Sequence, residues 1–281
     1  MNDPRARRRS VSTGRRATRL AALLASTAVT SMAWAQIDVP SGLADVHPVG
    51  PGDVVEGSVR LANDGPTDRT VTLTLRDYRV RPGGDGWLDA GTLPRSAASW
   101  IDVPSVVRLG PDETRDVAYR LRVPETGVDG TYWATLMVRP RPEGATGEAE
   151  DRTAVGLRPV RRYAVQIVVD VGGAARPRLE LGDAALDREG DAVTLDLEVH
   201  NDGARWVRRP TLEVRVVDPT DGEVLTTTRT GVRSLYPGAG TRVRTVLGAL
   251  PSRPLHLLAL ARDDARDVVA VRFDLDPPDA P

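Results

Sequence analysis

Side chains able to do chemistry are few in this chain, and their spacing does not favour it. The three histidines, His47, His200 and His256, have no second histidine or cysteine two or four positions away, the company that a metal site on a strand or helix needs. His200 and His256 read as ordinary strand positions. Asp183, Asp187, Glu189 and Asp191 crowd together and offer the hard oxygens that suit calcium, but their spacing matches no standard calcium loop, and a solvated hairpin turn is the reading preferred. Lysine and cysteine are absent. Schiff-base and lysine-base chemistry, thiol catalysis, thiolate metal sites and disulfides are thereby excluded. No G-x-S-x-G elbow, H-E-x-x-H pair, phosphate-binding glycine loop or dinucleotide fingerprint occurs. The expectation is a non-catalytic protein with no cofactor and no metal.

Recognition is the chemistry left, and it depends on strands. Tyr163, Val165, Ile167, Val169 and Val171 alternate with Ala164, Gln166, Val168 and Asp170, so the first five share one face of a strand. An exposed edge with such a row pairs with a foreign strand through backbone hydrogen bonds while pockets take the alternate side chains. The same row also suits closing the chain's own core, and both readings stand at this point.

The elements that would hold this row form a repeat. Gly52-Asp53-Val54 leads through an alternating strand to Asn63-Asp64-Gly65, and Gly190-Asp191-Ala192 leads likewise to Asn201-Asp202-Gly203, with eleven residues from Gly to Asn in each. A further alternating strand follows in both copies, through Val71, Leu73 and Leu75 and through Leu212, Val214 and Val216. The later halves correspond too. Gly110 to Thr114 opens the row Val117, Tyr119, Leu121 and Val123, and Pro237 to Thr241 opens Val243, Thr245 and Leu247. Then come Gly130 to Arg139 or Leu255 to Arg262, and a last strand, Tyr163 to Val171 or Val268 to Leu275. About seven short strands per copy, regular turn signals and no convincing amphipathic helix indicate an all-β chain of two tandem immunoglobulin-like antiparallel β-sandwiches. Residues 36–172 would form the first and 173–281 the second, joined near Gly172-Gly173, whose glycines should flex. Arg81 to Ser99 and Pro140 to Arg152 read as exposed loops of the first sandwich. Trp133 and Met137, alternating with Tyr132, Ala134 and Leu136, leave both faces of one strand apolar. Cover for the second face is expected from within the chain.

Residues 1–35 read as a signal peptide. Seven arginines and one acid precede a weakly apolar run from Leu20 to Trp34, which ends in the small-residue site Ala33-Trp34-Ala35. A membrane anchor is the competing reading, disfavoured because the run is diluted by Ser26, Thr27, Thr30 and Ser31 and falls short of the ~18 apolar residues of a span. With the leader set aside, 38 basic against 39 acidic residues becomes 31 against 38, a net charge near −7. That sign, with no basic cluster among aromatics, argues against nucleic acid.

The stretch from Trp100-Ile101-Asp102-Val103-Pro104 through Gly110-Pro111-Asp112-Glu113-Thr114 and Val123-Pro124 to Gly130-Thr131-Tyr132-Trp133-Ala134 resembles the first domain of periplasmic pilus-assembly chaperones. It is also similar to extracellular WxL-interacting proteins. Gly52 to Gly65 and Arg161 to Ile167 extend the resemblance over most of residues 40 to 171. In the chaperones the last strand of this domain is donated to the incomplete sandwich of a pilus subunit. The resemblance therefore implies partner binding by Arg161, Arg162, Tyr163, Val165, Ile167 and Val169, with another exported protein, a fibre subunit, as partner. The family grips the subunit's terminal carboxylate with an arginine of the first strand and a lysine of the last. This chain departs from that pattern: it has no lysine, Arg161 or Arg162 stands where the second cation would be, and His47-Pro48 occupies the place of the first.

The leading expectation is thus an exported protein-binding module of the periplasm or cell surface that acts by edge-strand pairing, with no membrane span once the leader is removed. The alternative is a structural or adhesive surface protein in which the sandwiches are spacers. A carbohydrate-binding reading would need exposed coplanar rings, for which Trp87, Trp133 and Trp206 are the candidates.

Overall fold

The computed structural model describes residues 37–126, 128–141, 160–189, 192–251, 253–262 and 268–275. The expected leader with its Ala33-Trp34-Ala35 site, most of the Pro140 to Arg152 segment, and Gly190-Asp191 lie outside the described residues.

Strands follow the alternation of the sequence because each buries every second side chain. In chain order they are β1 (Ile37–Asp38), β2 (Ala44–Val49), β3 (Val54–Asn63), β4 (Arg69–Arg79), β5 (Gly86–Asp89), β6 (Ile101–Asp102), β7 (Val106–Leu109), β8 (Thr114–Arg122), β9 (Gly130–Pro140) and β10 (Tyr163–Val171). The second set is β11 (Leu179–Glu189), β12 (Ala192–Asn201), β13 (Thr211–Val217), β14 (Val224–Gly231), β15 (Ala239–Ala249), β16 (Leu255–Arg262) and β17 (Val268–Leu275). The first sandwich opposes a sheet of order β1-β3-β8-β6 to one of order β2-β10-β9-β4-β5, with β7 also paired to β4. The second opposes β11-β12-β15 to β14-β13-β16-β17. Each encloses its own Val- and Leu-rich core: Leu61, Leu121, Leu136 and Ile167 are fully buried in one, Leu195, Leu212 and Leu257 in the other.

One departure from a plain sandwich matters for function. The first strand of the chain is split between sheets: β1 pairs antiparallel with β3, the chain turns at Gly42 with φ +93°, and β2 pairs parallel with β10. A non-glycine residue would be strained at that φ.

The repeat has a shared structural centre. β3 and β12 end on Asn63 and Asn201, both buried. The Asn63 amide donates to the carbonyls of Thr67 (2.8 Å) and Gly110 (2.7 Å) and its oxygen accepts from the Gly65 N–H. Asn201 does the same to Arg205 (2.8 Å), Leu235 (3.0 Å) and Gly203, and also accepts from the Arg178 N–H. Each Asn thus ties its own turn to the turn that opens a later strand.

Three expectations are corrected. Arg81 to Ser99 is not simply an exposed loop: it contains β5, and Ala97 and Ala98 are buried. The cause is Asp77, fully buried at the end of β4, whose carboxylate accepts from the Leu93 N–H (2.8 Å) and the Ser96 hydroxyl (2.7 Å). The connection after β10 is likewise tied down. Arg205 donates to the carbonyls of Val171, Gly172 and Ala175, and Arg176 to those of Gly173, Ala174 and Ala175. Asp183 and Asp187, expected in a turn, lie exposed on β11, where a register shift follows Leu181.

Electrostatics add an acid-sensitive contribution to the second sandwich. Glu213 is buried on the central strand β13 and meets Arg229 at 2.7 Å and Arg215 at 2.5 Å. Hydrogen bonds from Arg229 first and Arg215 next hold its carboxyl below the ordinary carboxylate value. A carboxyl lowered by folding stabilises the fold above its ordinary value and ceases to do so as pH falls through the lowered one. The Glu213→Gln variant is therefore expected to be less stable than the unaltered protein at neutral pH and to lose less stability on acidification from about pH 5 to pH 3. Urea midpoints across that range check this, and parallel pH profiles would refute it.

Candidate functional site

Strand β10 is central to the site that the sequence suggests. It pairs antiparallel with β9 along its whole length, Tyr163 opposite Val138 through Val171 opposite Gly130. On its other side β2 covers only Gln166 to Val171. The Gln166 N–H donates to the Leu43 carbonyl (2.9 Å) and the Gly172 N–H to that of Val49 (2.9 Å), so even-numbered residues direct their backbone groups at β2. Two residues upstream, Ala164 presents its N–H and C=O on the same side, and no strand of the described residues pairs with it there. The first strand joins this edge only at Ala44, opposite Gln166, too late along its course to cover Ala164.

The predicted residues divide between this open stretch and the core. Val165, Ile167 and Val169 face inward and are buried, packed with Leu136, Ala134 and the rest of the first core. Tyr163 bridges the sheets at the start of the strand, its hydroxyl donating to Asp38 Oδ1 of β1 at 2.8 Å. That bond, more than the Val39 backbone or the nearby Arg161 charge, lowers the Asp38 carboxyl, while burial raises the Tyr163 phenol. Arg161 reaches the same hydroxyl at 3.4 Å, and Arg162 is exposed.

The outer face of β10 belongs to the second sandwich. Gln166 Oε1 accepts from the Tyr236 hydroxyl (2.6 Å), Val168 joins the second core, and Asp170 accepts from Arg205 (2.6 Å) and Thr131 (2.8 Å). Trp133, the apolar side chain in need of cover, stacks on Tyr236 at 4.6 Å and 15°, and Trp206 stacks on Tyr236 from the second sandwich at 5.5 Å and 5°. Cover therefore comes from within the chain. Backbones also meet at this joint: the Thr131 N–H donates to the Ala204 carbonyl, and a Cβ on Gly130 would lie 2.1 Å from that oxygen.

His47 is a structural residue that sequence reasoning undervalued. On β2, Asp45 and His47 face inward and meet the buried Tyr119 hydroxyl, which donates to Asp45 (2.5 Å) and is 2.6 Å from His47 Nε2. Having one proton, the phenol gives it to the carboxylate and accepts from the imidazole N–H. Burial, with the Asp45 bond second, raises the Tyr119 phenol strongly. Alternation across Ala44 to Val49 was the available signal. Among the described residues no group of three or more acids and histidines is placed to hold a metal, and no helix is long and apolar enough to cross a membrane.

Solved structures similar to this chain include fimbrial chaperones. The class 5 fimbriae chaperone CfaA is 10% identical over 86% of this chain and 100% of its own, with a TM-score of 0.45. A chain of the CsuC–CsuE chaperone–tip adhesion subunit complex of Acinetobacter baumannii is 12% identical over 80% and 94%, with a TM-score of 0.41. The E. coli chaperone DraB is 12% identical over 86% and 98%, with a TM-score of 0.40. No family model matches the chain, and no curated protein does. The assignment of two antiparallel sandwiches rests on the sheets themselves.

Proposed function

We propose that this chain is an exported, non-catalytic protein-binding module, an assembly chaperone or accessory factor for surface fibres, which pairs a strand of its partner with the uncovered start of β10. The observation that carries this reading is the unpaired backbone edge at Ala164, flanked by the exposed Arg162 and by Arg161 and Tyr163. Backbone donors and acceptors at a free edge are a ready template for a further strand. The fibre subunit as partner rests on the sequence resemblance, and the periplasm or cell surface on the leader expected from the sequence.

A single substitution separates this edge from the core. Ala164→Pro removes the one N–H directed at the open side and leaves the ladder to β9, made by odd-numbered residues, in place. Affinity capture from the envelope of the producing cell is expected to recover a β-rich fibre subunit with the unaltered protein and not with Ala164→Pro, both having similar melting temperatures. Equal recovery with both would remove the edge from the mechanism.

The alternative, a structural or adhesive spacer, is favoured by the joint, where stacked rings and Arg205 hold the two sandwiches to each other. A spacer needs such stiffness and no free edge.

A further inference from the structure

We propose that the outer face of β7, β4, β9 and β10, beyond the part that the second sandwich covers, docks on an anionic lipid surface. Opposed residues of antiparallel strands share a face. Thr72 stands opposite both Val106 of β7 and Arg139 of β9, and Thr70 opposite Arg108. Their neighbours Val71, Leu73, Val107 and Val138 fill the first core, so this row looks outward. Arg141 continues it past the end of β9, its N–H donating to the Thr70 carbonyl (2.8 Å) and its Nε to the Thr72 hydroxyl (3.3 Å). Arg162 lies two residues before Ala164, which stands opposite Met137. Arg108, Arg139, Arg141 and Arg162 are all exposed.

Three observations define the partner. First, these four arginines form no ion pair among the described residues, and the positions between them on β4 are Thr70, Thr72 and Thr74. The other outer face of the same sandwich is balanced: Arg60 meets Asp116 at 2.8 Å, Arg122 lies 3.9 Å from Asp102, and Arg120 stands opposite Glu56. An unbalanced cationic face on a chain that is acidic once the leader is set aside orients that chain towards anions and repels a second copy of the same face. Second, the charges spread in two dimensions, over two rows and over four neighbouring strands that span about 14 Å at the usual strand spacing. A linear polyanion would meet them along one line, whereas a plane of phosphates meets them all. Third, no aromatic ring stands among these positions, and the exposed apolar side chain there is Val106. Protein partners are held by buried aromatic and apolar anchors, while attraction to lipid headgroups needs only basic side chains at the surface.

The test is co-sedimentation with vesicles of phosphatidylglycerol mixed with phosphatidylcholine, and of phosphatidylcholine alone. Residues 36–281 are used, since both cores lie within them. The triple variant Arg108→Gln, Arg139→Gln, Arg141→Gln is compared with Arg60→Gln, Arg120→Gln, Arg122→Gln, which removes the same charge from the opposite face. The unaltered protein is expected to sediment with the anionic vesicles alone and to be released as salt rises from about 50 to about 500 mM. Partitioning should weaken about fivefold for each arginine lost from the proposed face. The opposite-face variant should bind as the unaltered protein does, with melting temperatures held in both. Equal partitioning onto the two kinds of vesicle, no binding to either, or equal loss in the two variants would each overturn the proposal. So would capture by soluble polyglutamate in preference to vesicles, which would give the face to an acidic protein. Ala164 and Arg162 are unaltered throughout, so failure here leaves strand pairing at β10 to its own test.

Discussion

Replacing Asn201 with alanine is expected to lower the stability of the protein by about 3–4 kcal/mol, because a buried amide that satisfies several backbone groups leaves each of them unpaired when removed. Asn201 is fully buried, and its side chain serves the carbonyls of Arg205 and Leu235 and the N–H groups of Gly203 and Arg178. Its backbone carbonyl also accepts from the Gly238 N–H at 2.7 Å. Loss of this centre frees the segment that carries Arg205 and Trp206, so the joint with the first sandwich should loosen with it. Asn63→Ala is the internal comparison. It removes bonds to Thr67, Gly110 and Gly65 but nothing equivalent to the Arg178 contact or the joint, so its cost should be smaller, about 2–3 kcal/mol. Urea denaturation of the three proteins checks both size and order. Losses below about 1 kcal/mol in both variants would mean that water replaces the amide and that the Asn is not the centre of either copy.

Ile167→Asp should be more disruptive still, at about 4 kcal/mol or more, and it should act on the fold before it acts on any partner. Ile167 is fully buried in the first core, opposite Ala134 on β9 and Asp45 on β2. A carboxylate there has no cation within the core to pair with, and a neighbouring Asp45 adds like charge on the adjoining strand. Loss of near-ultraviolet dichroism and a collapse of the unfolding transition are the expected readings. A soluble variant of near-normal stability would mean that β10 does not occupy the position described. The contrast with Ala164→Pro is informative: one substitution tests the core that β10 closes, the other the edge that it leaves open. A partner strand that pairs at Ala164 need not withdraw Ile167 or Val169 from their places.

Much of the fold is legible in the residues. A period of two in Tyr163 to Val171, Leu255 to Arg262 and Val268 to Leu275 marks strands with the limits that the structure has. The pattern holds because one face of each is buried, and the Asn-Asp-Gly repeat marks the turns because Asn alone among these residues both donates and accepts there. The Arg81 to Ser99 segment misled, since its glycines advertise a loop while the single buried acid that organises it, Asp77, belongs to the preceding strand.

Alternation along one strand states which side chains share a face, and so the sequence by itself determined the strands, the two-sandwich architecture and the shared face of the Tyr163 to Val171 row, while its burial in the first core is read from the structure. It does not state what lies beside the strand, because backbone N–H and C=O groups are the same for every residue and leave no mark in the sequence. Only the tertiary structure decided that β2 does not reach Ala164 and that Tyr236 covers Trp133. Each of these depends on where distant segments come to rest, Gly42 turning one strand between sheets and Arg205 seating one sandwich on the other.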